Sequence, residues 1–130
     1  MHFESINSIR LGNYEALLHH IISGILEKKG KEIINIDLRK LAYAACDNFI
    51  ICHGDSGSQV KALADSVEDK VATMEGVKLG HREGSENARW ILLDYGSIVV
   101  HIFRKEDREY YKLEDLWGDA DIAFIKEDSL

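Results

Sequence analysis

A strand that runs into Gly54-Asp55-Ser56-Gly57-Ser58 and then into a helix can present backbone N–H groups to an anion, because the first amides of a helix have no partner within it. The pattern is neither a Walker loop nor a dinucleotide fingerprint, and Asp55 would repel a phosphate, so the turn reads as a helix cap. Metal-assisted phosphoryl transfer would need two closely spaced carboxylates on a rigid strand, and no Asp-x-Asp pair follows the second helix. Cys46, Cys52, His53, His81 and His101 are borderline metal ligands, but Cys-x5-Cys-His is not a zinc spacing and the other histidines are scattered. Cysteine–histidine nucleophilic catalysis fares no better, since Cys52 lies in a stretch apolar enough to be buried, where a thiol is inert. His2, His19 and His20 read as solvated. The residues therefore predict no catalytic centre, no metal and no cofactor.

The elements that position these residues follow from periodicity. Leu17, Leu18, Ile21, Ile22, Ile25 and Leu26 form the stripe of an amphipathic helix over residues 14–29, with Asn13 as its cap and Gly30 as its C′ residue. Ile34, Ile36 and Leu38 alternate with Asn35, Asp37 and Arg39, the pattern of a strand with one wet face. Phe49, Ile50, Ile51 and Cys52 run without alternation and predict a central strand covered on both sides. Ser56 or Ser58 then opens a second helix, carried by Val60, Leu63, Ala64, Val67, Val71 and Met74 and ended by Gly76. Residues 77–83 are a weak strand candidate, and 90–95 with 98–103 form a hairpin around Gly96-Ser97. One or two short helices over residues 105–117 and a polar tail complete the order α-β-β-α-β-β-β-α, a mixed α/β sheet with helices on at least one face. No repeat or linker divides the chain, so residues 1–130 read as one domain, with 1–12 an N-terminal segment and 118–130 a tail.

Strand alternation puts Trp90, Leu92 and Asp94 on one side of the hairpin and Ile91, Leu93 and Tyr95 on the other. If Trp90, Leu92, Asp94, Val99, His101 and Phe103 share the face away from the helices, the domain shows an apolar patch with a charge in it, as a protein-binding surface would. Periodicity equally allows a C-terminal helix to cover this face and make Trp90 core. Tyr110, Tyr111 and Trp117 add aromatic residues nearby, a class enriched in hot spots and in cores alike.

Composition narrows the class of partner. The 130 residues are 45% hydrophobic and 30% charged, with 16 basic against 23 acidic side chains and a net charge of −7. Phosphate backbones are repelled on average and a basic protein surface is attracted, although a modestly acidic balance more often serves only solubility. The sequence shows neither a signal-peptide order nor a membrane span, so a cytosolic protein with reduced Cys46 and Cys52 is expected.

Four blocks carry a family resemblance: Asp47-Asn48-Phe49-Ile50-Ile51-Cys52-His53-Gly54, Gly84-Ser85-Glu86-Asn87-Ala88-Arg89-Trp90-Ile91, Asp94-Tyr95-Gly96-Ser97-Ile98-Val99-Val100-His101 and Tyr111-Lys112-Leu113-Glu114-Asp115-Leu116-Trp117. In order and spacing these resemble the ribosomal silencing factor RsfS, or Iojap, family, from the first helix to Trp117. The resemblance implies a nucleotidyltransferase-like topology without the catalytic carboxylates, binding in place of catalysis, and pairing as a homodimer. It implies as partner the large ribosomal subunit, held through its fourteenth protein where the small subunit docks, so that joining is blocked and translation falls silent in starved cells. By motif, the contact candidates are Trp90, Asp94, His101, Tyr110, Tyr111, Leu113 and Trp117, with Leu113 and Trp117 also able to pack the edge. His53 before Gly54 and the extension over 118–130 depart from the family pattern. An active nucleotidyltransferase and a large-subunit assembly factor using the same surface are the competing readings.

Overall fold

A computed structural model describes residues 2–126, with side chains described from Tyr14 onward. The elements are α1 (His2–Glu27), β1 (Lys31–Asp37), β2 (Asn48–Gly54), α2 (Gly57–Glu75), β3 (His81–Glu83), β4 (Trp90–Asp94), β5 (Ile98–Arg104), α3 (Lys105–Tyr111), a 3₁₀ helix (Leu113–Trp117) and β6 (Asp121–Phe124). Six strands form one sheet in the order β3-β4-β5-β2-β1-β6, with β2 and β5 parallel and the other neighbours antiparallel. The expected mixed α/β architecture is present, and the expected order holds through α3.

One face of the sheet is covered by α1 and α2. Leu17, Ile21 and Ile25 of α1 and Val60, Leu63, Val67 and Val71 of α2 close over Ile50 and Cys52 of β2 and the inward residues of β4 and β5. Burying each such aliphatic side chain is worth about 1.5–3 kcal/mol, so this layer supplies much of the driving force for folding. β2 is central, as its unbroken apolar run requires, and burial pushes the Cys52 thiol up to about 12, where it is chemically quiet.

The other face carries a second core of Ile34, Ile36, Leu38, Ile51 and Phe103. The alternating apolar residues of β1 thus point away from the two long helices. Their cover comes from Leu41, Ala44 and Cys46 in the β1–β2 connection and from Leu113, Trp117 and Ala120 after α3.

Several local expectations are corrected. Asn13 does not cap α1, because the helix already runs from His2 and Asn13 lies within it. A polar cap residue ends a helix only where the backbone leaves helical geometry, and no proline stands before Tyr14 to break the helix there. At the other end, Lys29 rather than Gly30 takes the left-handed C′ conformation, with φ 60°. Lys29 N–H donates to Leu26 O at 3.0 Å and Gly30 N–H to Ile25 O at 3.0 Å, the two bonds of a Schellman motif. Gly30 is required for space instead, since a Cβ there would lie 2.3 Å from Ile25 Cγ2. The strand expected over 77–83 shrinks to His81–Glu83, and Met74 is exposed.

The largest correction is at the tail. Residues 121–124 are not an unstructured polar tail but β6, antiparallel to β1 with Ile34 opposite Phe124 and Ile36 opposite Ile122. All four residues of β6 are exposed, so main-chain pairing to a free strand edge forms it, and burial contributes little.

Candidate functional site

The Gly54–Ser58 turn is occupied by its own capping. Ser56 Oγ accepts from Gln59 N–H at 3.1 Å, and Gln59 Oε1 accepts from Asp55 N–H at 2.8 Å. The Gln59 amide also donates to Lys28 O and Lys29 O, which ties the end of α1 to the start of α2. Asp55 pairs with Lys31 at 2.7 Å, and this cation holds its carboxyl below the usual range. Among the described residues, no three His, Cys, Asp or Glu side chains gather as a metal site would require.

The histidines and cysteines considered as ligands are dispersed by the sheet. Cys52 lies in the helix-side core. His53 is buried beneath α3, where Nδ1 accepts from the Arg108 guanidinium at 2.9 Å. Burial and that neighbouring charge lower its pKa. His81 sits at 2.8 Å from Glu83 on the far edge strand.

The helix-free face of β4 and β5 brings the hairpin candidates together. Trp90 lies opposite Phe103, Leu92 opposite His101 and Asp94 opposite Val99, so all six share one side as alternation predicts. Gly84 shapes the approach to this strand. It has φ +88°, and a Cβ on it would fall 1.9 Å from Trp90 O, so only glycine lets β3 and the following turn lie against Trp90.

Coverage of this face is partial, so both readings of the hairpin hold in different places. Phe103 is fully buried and His101 is 4% exposed, while Trp90, Leu92, Asp94 and Val99 remain half-buried. Trp90 stacks on Phe103 with ring centroids 4.7 Å apart and donates its indole N–H to His101 Nδ1 at 3.1 Å. Burial lowers the His101 pKa to about 4, so the ring is neutral at physiological pH. Asp94 Oδ1 accepts from Gly96 N–H at 2.7 Å and fastens the hairpin turn.

The C-terminal candidates divide. Leu113 and Trp117 pack onto the second core, with Trp117 edge-on to Phe49 at 5.5 Å. Tyr111 is 50% exposed with its ring 5.0 Å from Trp90, and Tyr110 is 80% exposed. Trp90 and Tyr111 therefore make a continuous aromatic surface with Tyr110 at its outer end.

A cleft of about 360 Å³ opens beside this surface, and it contains residues that periodicity did not single out. Tyr43, Cys46 and Phe49 line it together with Asp94, His101 and Trp117. Phe49 counted as one residue of a buried strand, yet it is half-buried and meets His101 edge-on at 4.6 Å. Tyr43 sits in a connection without regular structure and reaches the cleft by stacking on Trp117 at 5.8 Å. An aromatic residue in an alanine-rich loop is the only sequence signal for it.

Comparison with known proteins gives this face a context. The family model described as ribosomal silencing factor during starvation matches residues 12–129, so the stretch over 118–129, expected to extend past the family pattern, lies within it. The chain is 42% identical over 106 residues to ribosomal silencing factor RsfS of Halalkalibacterium halodurans, covering 82% of this chain and 89% of that protein. It is 40% identical over 111 residues to RsfS of Bacillus subtilis, covering 85% and 92%. The chloroplastic protein Iojap of Zea mays is 33% identical over 94 residues, covering 72% of this chain and 40% of that protein. A crystal structure of a Chromobacterium violaceum protein superposes with a TM-score of 0.75 at 36% identity, covering 88% of this chain and 95% of that one. One from Bacillus halodurans gives 0.70 at 36% identity, covering 86% and 98%. On a match that spans nearly the whole chain, with sequence and fold in agreement, the protein belongs to the ribosomal silencing factor family of RsfS and Iojap.

Proposed function

We propose that this protein is a translation repressor that binds the large ribosomal subunit through the subunit's fourteenth protein and blocks joining of the small subunit by occupying its place. The observation that carries the reading is the half-open face of β4 and β5. Trp90 and Tyr111 supply apolar area there, and Asp94 supplies a negative charge for a basic partner. Membership in a family named for ribosome silencing supports the choice of partner. The action we assign is steric rather than enzymatic, a choice supported by the Gly54–Ser58 turn being filled by its own cap. It takes place in the cytosol. No helix among the described residues is long and apolar enough to cross a membrane, which fits that setting. Pairing of two copies as a homodimer belongs to the same proposal.

Sedimentation on sucrose gradients tests it. Purified protein added to a ribosome extract should travel with free large subunits and be absent from assembled ribosomes. Equal recovery from both fractions, or recovery from neither, would remove the proposal.

A further inference from the structure

Arg108 is a buried cation without a counter-ion among the described residues. It projects from α3, is 8% exposed, and spends one nitrogen on two contacts: Nη1 donates to Lys31 O at 3.2 Å and to His53 Nδ1 at 2.9 Å. None of the ion pairs among the described residues includes it. Its Nε–H and Nη2–H have no partner among these residues, and the buried polar atoms that are both unpartnered and sealed from water belong to other side chains, so this edge of the guanidinium is open. His53 is in the same position. It is 3% exposed, and because its Nδ1 accepts from Arg108 its proton sits on Nε2, which is likewise neither bonded nor sealed.

Both side chains line one cleft of about 490 Å³, and it is there that they meet solvent. The cleft lies at the C-terminal ends of the parallel neighbours β2 and β5, beside α3, which is where α/β sheets hold their ligands. A guanidinium that has left water without finding an anion is an uncompensated charge, and an anion on its open edge removes that cost. The fork sets the kind of anion. Nε–H and Nη2–H run parallel at a spacing that matches two oxygens of a carboxylate or of a phosphate. The rim distinguishes these. Lys105 and Lys112 stand there against Glu32, Glu109, Glu114 and Asp115, so a second negative charge on the ligand would be repelled. Ile33, Phe124 and Ile125 add an apolar flank. A single negative charge on an apolar body matches the fork, the rim and the flank together.

We propose that this cleft is a binding site for a singly charged carboxylate on an apolar body, its two oxygens held by the Nε–H and Nη2–H edge of Arg108, with His53 Nε2–H as a further donor in the wall and Ile33 and Phe124 against the body. His53 is also a positioning residue, since by accepting from Nη1 it fixes which edge of the guanidinium is left for the ligand. The site uses no residue of the open face of β4 and β5, so it stands or falls independently of the ribosomal reading.

The test uses the full chain with ¹⁵N-labelled arginine, reading the Arg108 Nε–H signal, and calorimetry for affinity. Four probes are titrated at one ionic strength: 4-methylpentanoate, its amide, the peptide acetyl-Gly-Gly-Leu with a free terminal carboxylate, and inorganic phosphate. A carboxylate probe should shift the signal and bind about tenfold or more tightly than the amide, as a hydrogen bond between charged groups implies, with phosphate weaker. A response to 4-methylpentanoate alone upholds the site as one for a small organic acid, and a response to the peptide alone upholds it as one for the end of a protein chain. No response to either carboxylate, equal binding of the amide, or tighter binding of phosphate would overturn the proposal, the first because water then serves Arg108 well enough. Arg108→Gln should lose the carboxylate, and a folded Arg108→Gln chain that binds it as the parent does would overturn the proposal as well. That substitution also breaks the bonds to Lys31 and His53, so Glu109→Lys, at an exposed position of the rim, is the second variant. Its melt should match the parent's and its affinity for the carboxylate should rise about threefold, because the rim exchanges a repulsion for an attraction. Unchanged or weaker affinity in Glu109→Lys would place the anion outside this cleft.

Discussion

Trp90 and Asp94 both sit on the open face, yet substitution should separate them. Trp90→Ala removes the ring stacked on Phe103 and the N–H that holds His101, so the expected cost is about 3 kcal/mol of stability, read by urea unfolding, in addition to any loss of binding. Asp94→Asn keeps an oxygen for the Gly96 N–H and removes only the charge, so its melt should match the parent's while large-subunit binding weakens and loses part of its salt dependence. Unaltered binding by Asp94→Asn would move the basic partner away from this end of the hairpin. The buried histidines also make a pH prediction. Burial lowers the pKa of His53, and that of His101 to about 4, so below pH ~6.5 the unfolded chain takes up protons that the folded chain refuses. Stability should be full above pH ~6.5 and fall toward pH 4, and His101→Phe should flatten part of that slope. A parent unfolding midpoint that stays constant between pH 8 and pH 5 would contradict the assigned protonation states.

Among the elements, β6 changes the expected molecule most. It covers the edge of β1, and the paired rows of Ile34 with Phe124 and Ile36 with Ile122 place two further apolar residues beside the second core. Its own residues are exposed, but Ile125 beyond it packs on the first core, so truncation after Ala120, which spares the cover of the second core, should lower stability by about 1–3 kcal/mol, a scale set by a few solvent-facing ladder bonds and one half-buried side chain. The sharper consequence is at the edge. With β6 gone, the N–H and C=O groups of β1 face water as a template for another strand, so the truncated protein should self-associate with rising concentration in light scattering where the full chain does not. Equal scattering by both chains would mean that β6 does not protect the edge. The sequence signal for β6 is four residues in which Ile122 and Phe124 alternate, too short to stand apart from a loop. By contrast α2 and the hairpin are legible to within a residue or two, because a seven-residue spacing of buried aliphatics or a Gly-Ser turn between alternating runs is decided locally.

For the whole molecule, steric exclusion has a stoichiometric signature that catalysis lacks. Purified protein added to separated ribosomal subunits should hold them apart only as it approaches one copy per large subunit, and washing it away should restore joining. Inhibition by a small fraction of an equivalent would point to turnover and restore the enzymatic alternative. How much of this molecule was visible beforehand follows the range of the forces involved. The sequence by itself determined α2, the buried half of α1, the central buried strand, the hairpin and the common face of Trp90, Asp94 and His101, since 3.6- and two-residue periods and turns act over a few residues. It also marked the aromatic residues from Tyr110 to Trp117 as a group. Only the tertiary structure decided that Trp117 turns inward while Tyr110 and Tyr111 stay exposed, that the apolar side of β1 faces a second core, and that Tyr43, Phe49, His101 and Trp117 enclose a cleft. Those facts depend on residues more than fifty positions apart meeting across the sheet, and no local period encodes which of two apolar faces a distant segment will cover.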